Sequence, residues 1–228
     1  ATSATYTLTQ ADVGKAITVT ASYTDAQGTD ESVTSSATAA VANVNDAPVL
    51  AISGTATEDQ TLTTVVNDED GLGTISYQWK RAGAAISGAT ASTYTLSQAD
   101  VGKIITVTAS YTDAQGTGES VSSFATAAVA NVNDTPSGSV TISGTATEDQ
   151  VLTAGNDLAD EDGLGSFSYQ WKRDDTDISG ATETNYTLSQ ADVGKAITVI
   201  ARYTDALGTA ESVISSATAA VANVNDTP

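Results

Sequence analysis

The chain repeats itself. The string Tyr6-Thr7-Leu8-Thr9-Gln10-Ala11-Asp12-Val13-Gly14-Lys15 returns almost unchanged from Tyr94 and again from Tyr186. Tyr77-Gln78-Trp79-Lys80-Arg81 comes back from Tyr169 to Arg173, and Asp68-Glu69-Asp70-Gly71-Leu72-Gly73 comes back from Asp160 to Gly165. The 3 prolines, Pro48, Pro136 and Pro228, all close the phrase Asn-Val-Asn-Asp-x-Pro. A period of about 90 residues is too long for a solenoid unit and fits one small β-sandwich of about 100.

The linker phrase marks the boundaries. Residues 1–42 are the second half of a repeat, 43–130 a linker and a complete repeat, 131–222 a second linker and complete repeat, and 223–228 the start of another linker. Half a repeat cannot bury a two-layer core, so the sequence is expected to be a window onto a longer tandem array.

Within a repeat the hydrophobic period is two. Ile75, Tyr77 and Trp79 alternate with Ser76, Gln78 and Lys80, while Ile105, Val107, Ala109 and Tyr111 alternate with Thr106, Thr108 and Ser110. One face of each strand is therefore apolar and the other polar. Further strands are expected at 49–52, 62–66, 93–96 and 121–129, with a short one near Ala85-Ile86. Turn signals at Asp70-Gly71, Ser87-Gly88 and Gln115-Gly116 separate them. The count of about seven short strands per repeat predicts an all-β fold of tandem antiparallel sandwiches. Trp79 and Trp171, inside alternating strands, are expected in the core rather than as sugar-stacking platforms. The pairs Lys80-Arg81 and Lys172-Arg173 are expected at solvated strand ends.

Composition narrows the chemistry. With 28 acidic and 8 basic residues the formal charge is −20, which repels nucleic acid and anionic lipid. The sequence has no His and no Cys, excluding the usual zinc sites, Ser–His and Cys–His nucleophiles, and disulfides. No apolar run approaches the roughly 20 residues that span a bilayer. Asp68 and Asp70 invite comparison with a glycosidase carboxylate pair, yet the same acids recur in each copy, whereas a catalytic site is normally built once in a pocket. No enzymatic activity is expected.

A Trp on the third strand, a Tyr-x-Leu strand, and Asp100-Val101-Gly102 before the next apolar strand resemble the immunoglobulin pattern, without its cysteine pair or its corner tyrosine. The chain resembles the cysteine-free, cadherin-like immunoglobulin repeats of giant secreted bacterial adhesins. That resemblance implies a topology in which the incoming linker shares one end of a domain with the BC and FG loops. The AB and EF loops share the other end with the outgoing linker.

Placed on this topology, the acids gather at the linkers. At Asn131, Asn133 and Asp134, the preceding repeat is expected to present Glu58, Asp59 and Asp100, and the following one Asp160, Asp162 and Asp205. By repetition, Asn43, Asn45 and Asp46 accompany Asp68, Asp70 and Asp113, while Asn223, Asn225 and Asp226 accompany Glu148 and Asp149. Ca2+ takes six to eight oxygen ligands at about 2.3–2.6 Å, so this convergence predicts calcium-stiffened junctions. The bland alternative is solvated turn residues. Asp100 is the weakest member, since a corner Asp can instead bond its own backbone. No EF-hand is present: with Gly71 at its sixth position, the first would be Val66 and the last Tyr77.

The function expected from these features is a structural extender in an adhesin at the bacterial cell surface. Its partners would be the neighbouring repeats of the same chain. The alternative is a self-associating or glycan-binding repeat of an extracellular filament or surface layer, with other copies of the chain or surface glycans as partners.

Overall fold

The computed structural model describes residues 2–225, and the chain forms two compact units, Ala1–Asn131 and Val132–Pro228. The first unit contains β1 (Thr20–Thr24), β2 (Asp30–Thr34), β3 (Val49–Ser53), β4 (Thr61–Asn67), β5 (Ser76–Arg81), β6 (Ala84–Ala85), β7 (Thr93–Thr95), β8 (Ile105–Thr112) and β9 (Gly118–Ser122). The second contains β10 (Val140–Ser143), β11 (Val151–Asn156), β12 (Ser168–Arg173), β13 (Thr176–Asp177), β14 (Asn185–Thr187), β15 (Ile197–Thr204) and β16 (Ala210–Ile214). All pairings between these strands are antiparallel.

Each complete repeat is a two-sheet immunoglobulin-like sandwich. In the first, the sheet β3-β4-β7 faces the sheet β6-β5-β8-β9; in the second, β10-β11-β14 faces β13-β12-β15-β16. The period of two decides which side chains go inward. Ile105, Val107, Ala109 and Tyr111 of β8 are all buried, and the first three meet Leu50 and Leu62 of the opposite sheet, and Leu96 just after β7, around fully buried Trp79. Trp79 Nε1 donates to the Ala91 carbonyl at 2.9 Å, which satisfies the only polar atom of that ring. Trp171 repeats the arrangement, donating to the Glu183 carbonyl.

The last strand differs from expectation. β9 covers Gly118–Ser122, and the regular ladder stops there instead of running to Val129. The reason is local chemistry. The Ser123 and Thr126 hydroxyls accept the Val107 and Ile105 N–H groups that a paired carbonyl would otherwise take. The chain then crosses to the other sheet, where Ala130 N–H donates to Ala56 and Glu58 N–H donates to Ala130.

In residues 2–42 the same sequence is less complete. Val19 and Tyr23, equivalent to buried Val107 and Tyr111, are exposed, because no strand packs on the β1–β2 hairpin as β5 packs on β8. One glycine sets how closely the loops approach. A Cβ on Gly73 would collide with the Thr112 carbonyl oxygen, and Gly165 meets Thr204 in the same way. These contacts press the loop before β5 against the end of β8.

Replacing fully buried Leu152 with Ala is expected to destabilise the second unit by about 2–5 kcal/mol. Urea unfolding followed by Trp171 fluorescence in a Trp79→Phe background measures it.

Candidate metal centre

Two ends of each sandwich hold the acids, and the structure separates them by role. In the first unit the incoming linker is tied down by the loop between β4 and β5. Asp46 N–H donates to Asp70 Oδ2 at 2.7 Å, and Asn45 Nδ2 donates to Glu119 Oε1 at 2.8 Å. Asn43 Oδ1 accepts from Gln10 Nε2. Asp70 is buried, and its own N–H donates to Asp68 Oδ1, while Tyr111 donates its hydroxyl proton to Asp68 Oδ2. Burial and the Asp68 carboxylate both push the Tyr111 pKa upward, so the phenol stays a donor at any working pH.

The second unit repeats this end. Asp134 N–H donates to Asp162 Oδ2 at 2.8 Å, Asn133 Nδ2 to Glu211 Oε1 at 2.9 Å, and Tyr203 to Asp160 Oδ2. Asp162 also receives the Ala206 N–H on its backbone carbonyl, which joins the β11–β12 loop to the β15–β16 turn. Two independent copies thus spend buried carboxylate oxygens on holding a linker.

Asp113 and Asp205, at the turn after β8 and after β15, carry the feature that points to a cation. Both are buried. Their Oδ1 atoms accept N–H groups two and four residues ahead, from Gln115 and Thr117 and from Leu207 and Thr209. Their Oδ2 atoms are buried and have no hydrogen-bond partner. Burial raises each pKa, but the turn N–H groups outweigh it and hold both carboxyls below their ordinary value, so the charge persists. An ionised oxygen out of water with no donor is costly unless something positive meets it.

The opposite end is simpler. Glu58 and Glu148 are buried, and in the second unit Glu148 Oε2 accepts the Val224 N–H at 3.1 Å, while Asn223 Oδ1 faces Gln190. Asn131 Oδ1 is buried without a hydrogen-bond partner. Asp59 and Asp149 have a different use: exposed, with left-handed φ of 62° and 61°, they turn the backbone ahead of β4 and β11. Asn225 is exposed, and Asp226 lies outside the described residues.

Asp100 leaves the candidate set. It is fully buried, and Arg81 Nε donates to its Oδ1 at 2.6 Å. Tyr94 Oη and Ser97 N–H donate to its Oδ2, each at 2.9 Å. Asp192 has the same set from Arg173, Tyr186 and Ser189. Both oxygens of each carboxylate are thus committed to donors, one of them a guanidinium. Arg81 and Arg173 are correspondingly in ion pairs instead of at solvated strand ends, and Lys172 pairs with Asp177. Sequence reasoning placed the arginines outward because they follow an alternating strand. It had no means of seeing that the strand end lies over the Gln98–Asp100 turn. It also passed over Gln10 and Gln190, Glu119 and Glu211, and Tyr111 and Tyr203. Their recurrence in register was the available signal.

No protein-family model and no curated protein matches the chain. Solved structures do, among them the three N-terminal domains of the bacteriophage RB49 Highly Immunogenic Outer Capsid protein. It is 19% identical with a TM-score of 0.31, and the match covers 74% of this chain and 58% of that one. Among the described residues no helix is long and apolar enough to cross a membrane.

Burial raises the Asp100 pKa, but Arg81 and the Ser97 and Tyr94 donors outweigh it and leave it below normal. A carboxyl lowered on folding contributes stability above its unfolded pKa of about 3.9, which is lost as pH falls through the folded value. Asp100→Asn is expected to cost about 3 kcal/mol at neutral pH. It should also flatten the decline in stability below about pH 4, as read from urea midpoints across an acid series.

Proposed function

We propose that this chain is a non-catalytic structural segment of a large bacterial extracellular adhesin, a tandem of cadherin-like repeats stiffened by Ca2+ at the linkers. The observation that carries the reading is the buried, donor-less Oδ2 of Asp113, repeated at Asp205. A divalent cation would offset that charge. With no His or Cys, the donor set is hard oxygen only, which disfavours zinc. Carboxylates and amides from separate loops suit the irregular coordination of Ca2+ better than the strict octahedron of Mg2+.

Repetition supports a mechanical role. The same acids recur in each copy, and Asp68 and Asp160 are locked to tyrosines instead of facing a cleft. Linkers held by ligands from the repeats on either side resist bending, and losing the ion restores repulsion among the acids. Modules of this kind fill where calcium is abundant, which supports an extracellular, cell-surface location. Calcium is expected to raise the melting temperature of the full chain and narrow its conformational spread in small-angle scattering, with EDTA reversing both. Identical melts and scattering in calcium and EDTA overturn the reading.

A second reading, self-association, has one specific observation in its favour. Phe124 is 95% exposed and lines a groove with Val49 and Ile52 of β3, the outer strand of its sheet. An open apolar edge invites strand pairing with another chain. The equivalent residues are Ser36 and Ser216. On this reading, sedimentation shows a concentration-dependent mass that Phe124→Ser abolishes. A strict monomer removes it.

A further inference from the structure

The second repeat departs from the first where β14 begins. Glu183-Thr184-Asn185-Tyr186-Thr187 stands where the first repeat has Ala91-Ser92-Thr93-Tyr94-Thr95 and the half repeat has Ser3-Ala4-Thr5-Tyr6-Thr7. Asn185-Tyr186-Thr187 has the form Asn-x-Thr, the acceptor sequence for sugar on an asparagine amide. The fold presents it. The period of two turns Tyr186 inward, against the core and onto Asp192, and leaves Asn185 and Thr187 exposed on the other face. β14 pairs with β11 alone, so its other edge is open. In the first repeat the Thr95 hydroxyl bonds to the Thr61 hydroxyl across the ladder at 3.0 Å. In the second, Val151 stands opposite Thr187 and has no hydroxyl to offer. Among the described residues neither the Asn185 amide nor the Thr187 hydroxyl has a hydrogen-bond partner. Glu183 is exposed two residues ahead, and an open groove of about 310 Å³ is lined in part by Glu183, Asn185 and Thr187. Two further Asn-x-Thr triplets lie in linkers. Asn133 spends its Nδ2 on Glu211 Oε1 at 2.9 Å, and the triplet from Asn225 runs beyond the described residues.

We infer that Asn185 is an N-glycosylation acceptor, to which a transferase joins a hexose or N-acetylhexosamine from a diphosphate-activated donor, nucleotide-linked or lipid-linked. In the transfer, Asn185 Nδ2 gives up one proton to a base of the transferase and forms a bond to the anomeric carbon of the sugar. The bond from that carbon to the diphosphate oxygen breaks, and its electron pair leaves on the diphosphate. An amide nitrogen shares its lone pair with the carbonyl and is a weak nucleophile, so transfer depends on the groups beside it. The Thr187 hydroxyl both donates and accepts hydrogen bonds, and the loss of a threonine opposite it leaves both capacities free. The Glu183 carboxylate offers a cationic transferase a charge-assisted contact. A sugar on Asn185 also covers the open edge of β14 with a bulky, hydrated group, which blocks pairing with a strand of another chain. The acceptor uses none of the linker carboxylates, so it stands apart from the calcium reading.

The test starts from the full chain as its producing cells make it, mapped by peptide mass spectrometry with electron-transfer fragmentation. Sugar mass on Asn185 is the expected result. Two reconstituted arms then identify the donor: a nucleotide hexose with a soluble N-glycosyltransferase, and a lipid diphosphate oligosaccharide with a membrane oligosaccharyltransferase. Thr187→Ala is expected to abolish the modification and Thr187→Ser to retain it. Thr187 is exposed, so both variants should melt close to wild type. Glu183→Gln should lower occupancy, and Ala91→Glu with Thr93→Asn should create a second acceptor in the first repeat. A bare Asn185 in the chain from its producing cells overturns the inference, as does a sugar on Asn185 that Thr187→Ala leaves in place. Either result leaves the calcium reading as it stands.

Discussion

A carboxylate that leaves water must be met by donors or by a cation, and each complete repeat buries four of them. Glu58, Asp70, Asp100 and Asp113 in the first repeat return as Glu148, Asp162, Asp192 and Asp205 in the second. What meets each one decides the local structure. Asp100 and Asp192 meet arginine, tyrosine and a turn N–H, and so weld the Gln98–Asp100 and Gln190–Asp192 turns to the ends of β5 and β12. Asp70 and Asp162 meet the backbone of the incoming linker, which makes the linker an ordered part of the repeat it enters. Asp113 and Asp205 are met on one oxygen only.

This division of labour explains a strongly acidic chain with few bases. Of 8 basic residues, Arg81 and Arg173 are spent inside the repeats on Asp100 and Asp192. Asp70 and Asp162 rely on N–H donors, which satisfy lone pairs without cancelling charge. A surplus that is neutralised nowhere within a repeat is a standing demand for counterions, and the orphan oxygens localise that demand at the linker end. The core beneath is indifferent to it: Trp79 and Trp171, with their leucine and valine neighbours, carry the hydrophobic stabilisation.

Much of the fold was legible in the sequence because sandwich strands with one wet face write a period of two. The alternation through Ile75, Tyr77 and Trp79 and from Ile105 to Tyr111 located the central strands and their inward faces. The end of β9 was not legible, since Ser123 and Thr126 leave the ladder by offering hydroxyls in place of carbonyls, and both residues look at home in a strand. At the site, the acids of the β4–β5 and β11–β12 loops were legible from their spacing. The arginine partner of Asp100 and the roles of Asp59 and Gln10 were not. Each depends on a partner distant in sequence or on a backbone angle, and none of these leaves a mark in residue type.

The sequence by itself determined the repeat, the strand period, the acidic surplus and the absence of soft metal ligands, because these are properties of residue order and composition. Only the tertiary structure decided which acids are quenched and which are left wanting. Asp100 and Asp113 are the same residue type, both beside turns and both buried, yet one faces a guanidinium folded over from β5 and the other has a buried Oδ2 without a hydrogen-bond partner. Electrostatic environment is set by what packs within a few ångströms, and that is fixed only when the two sheets close on each other.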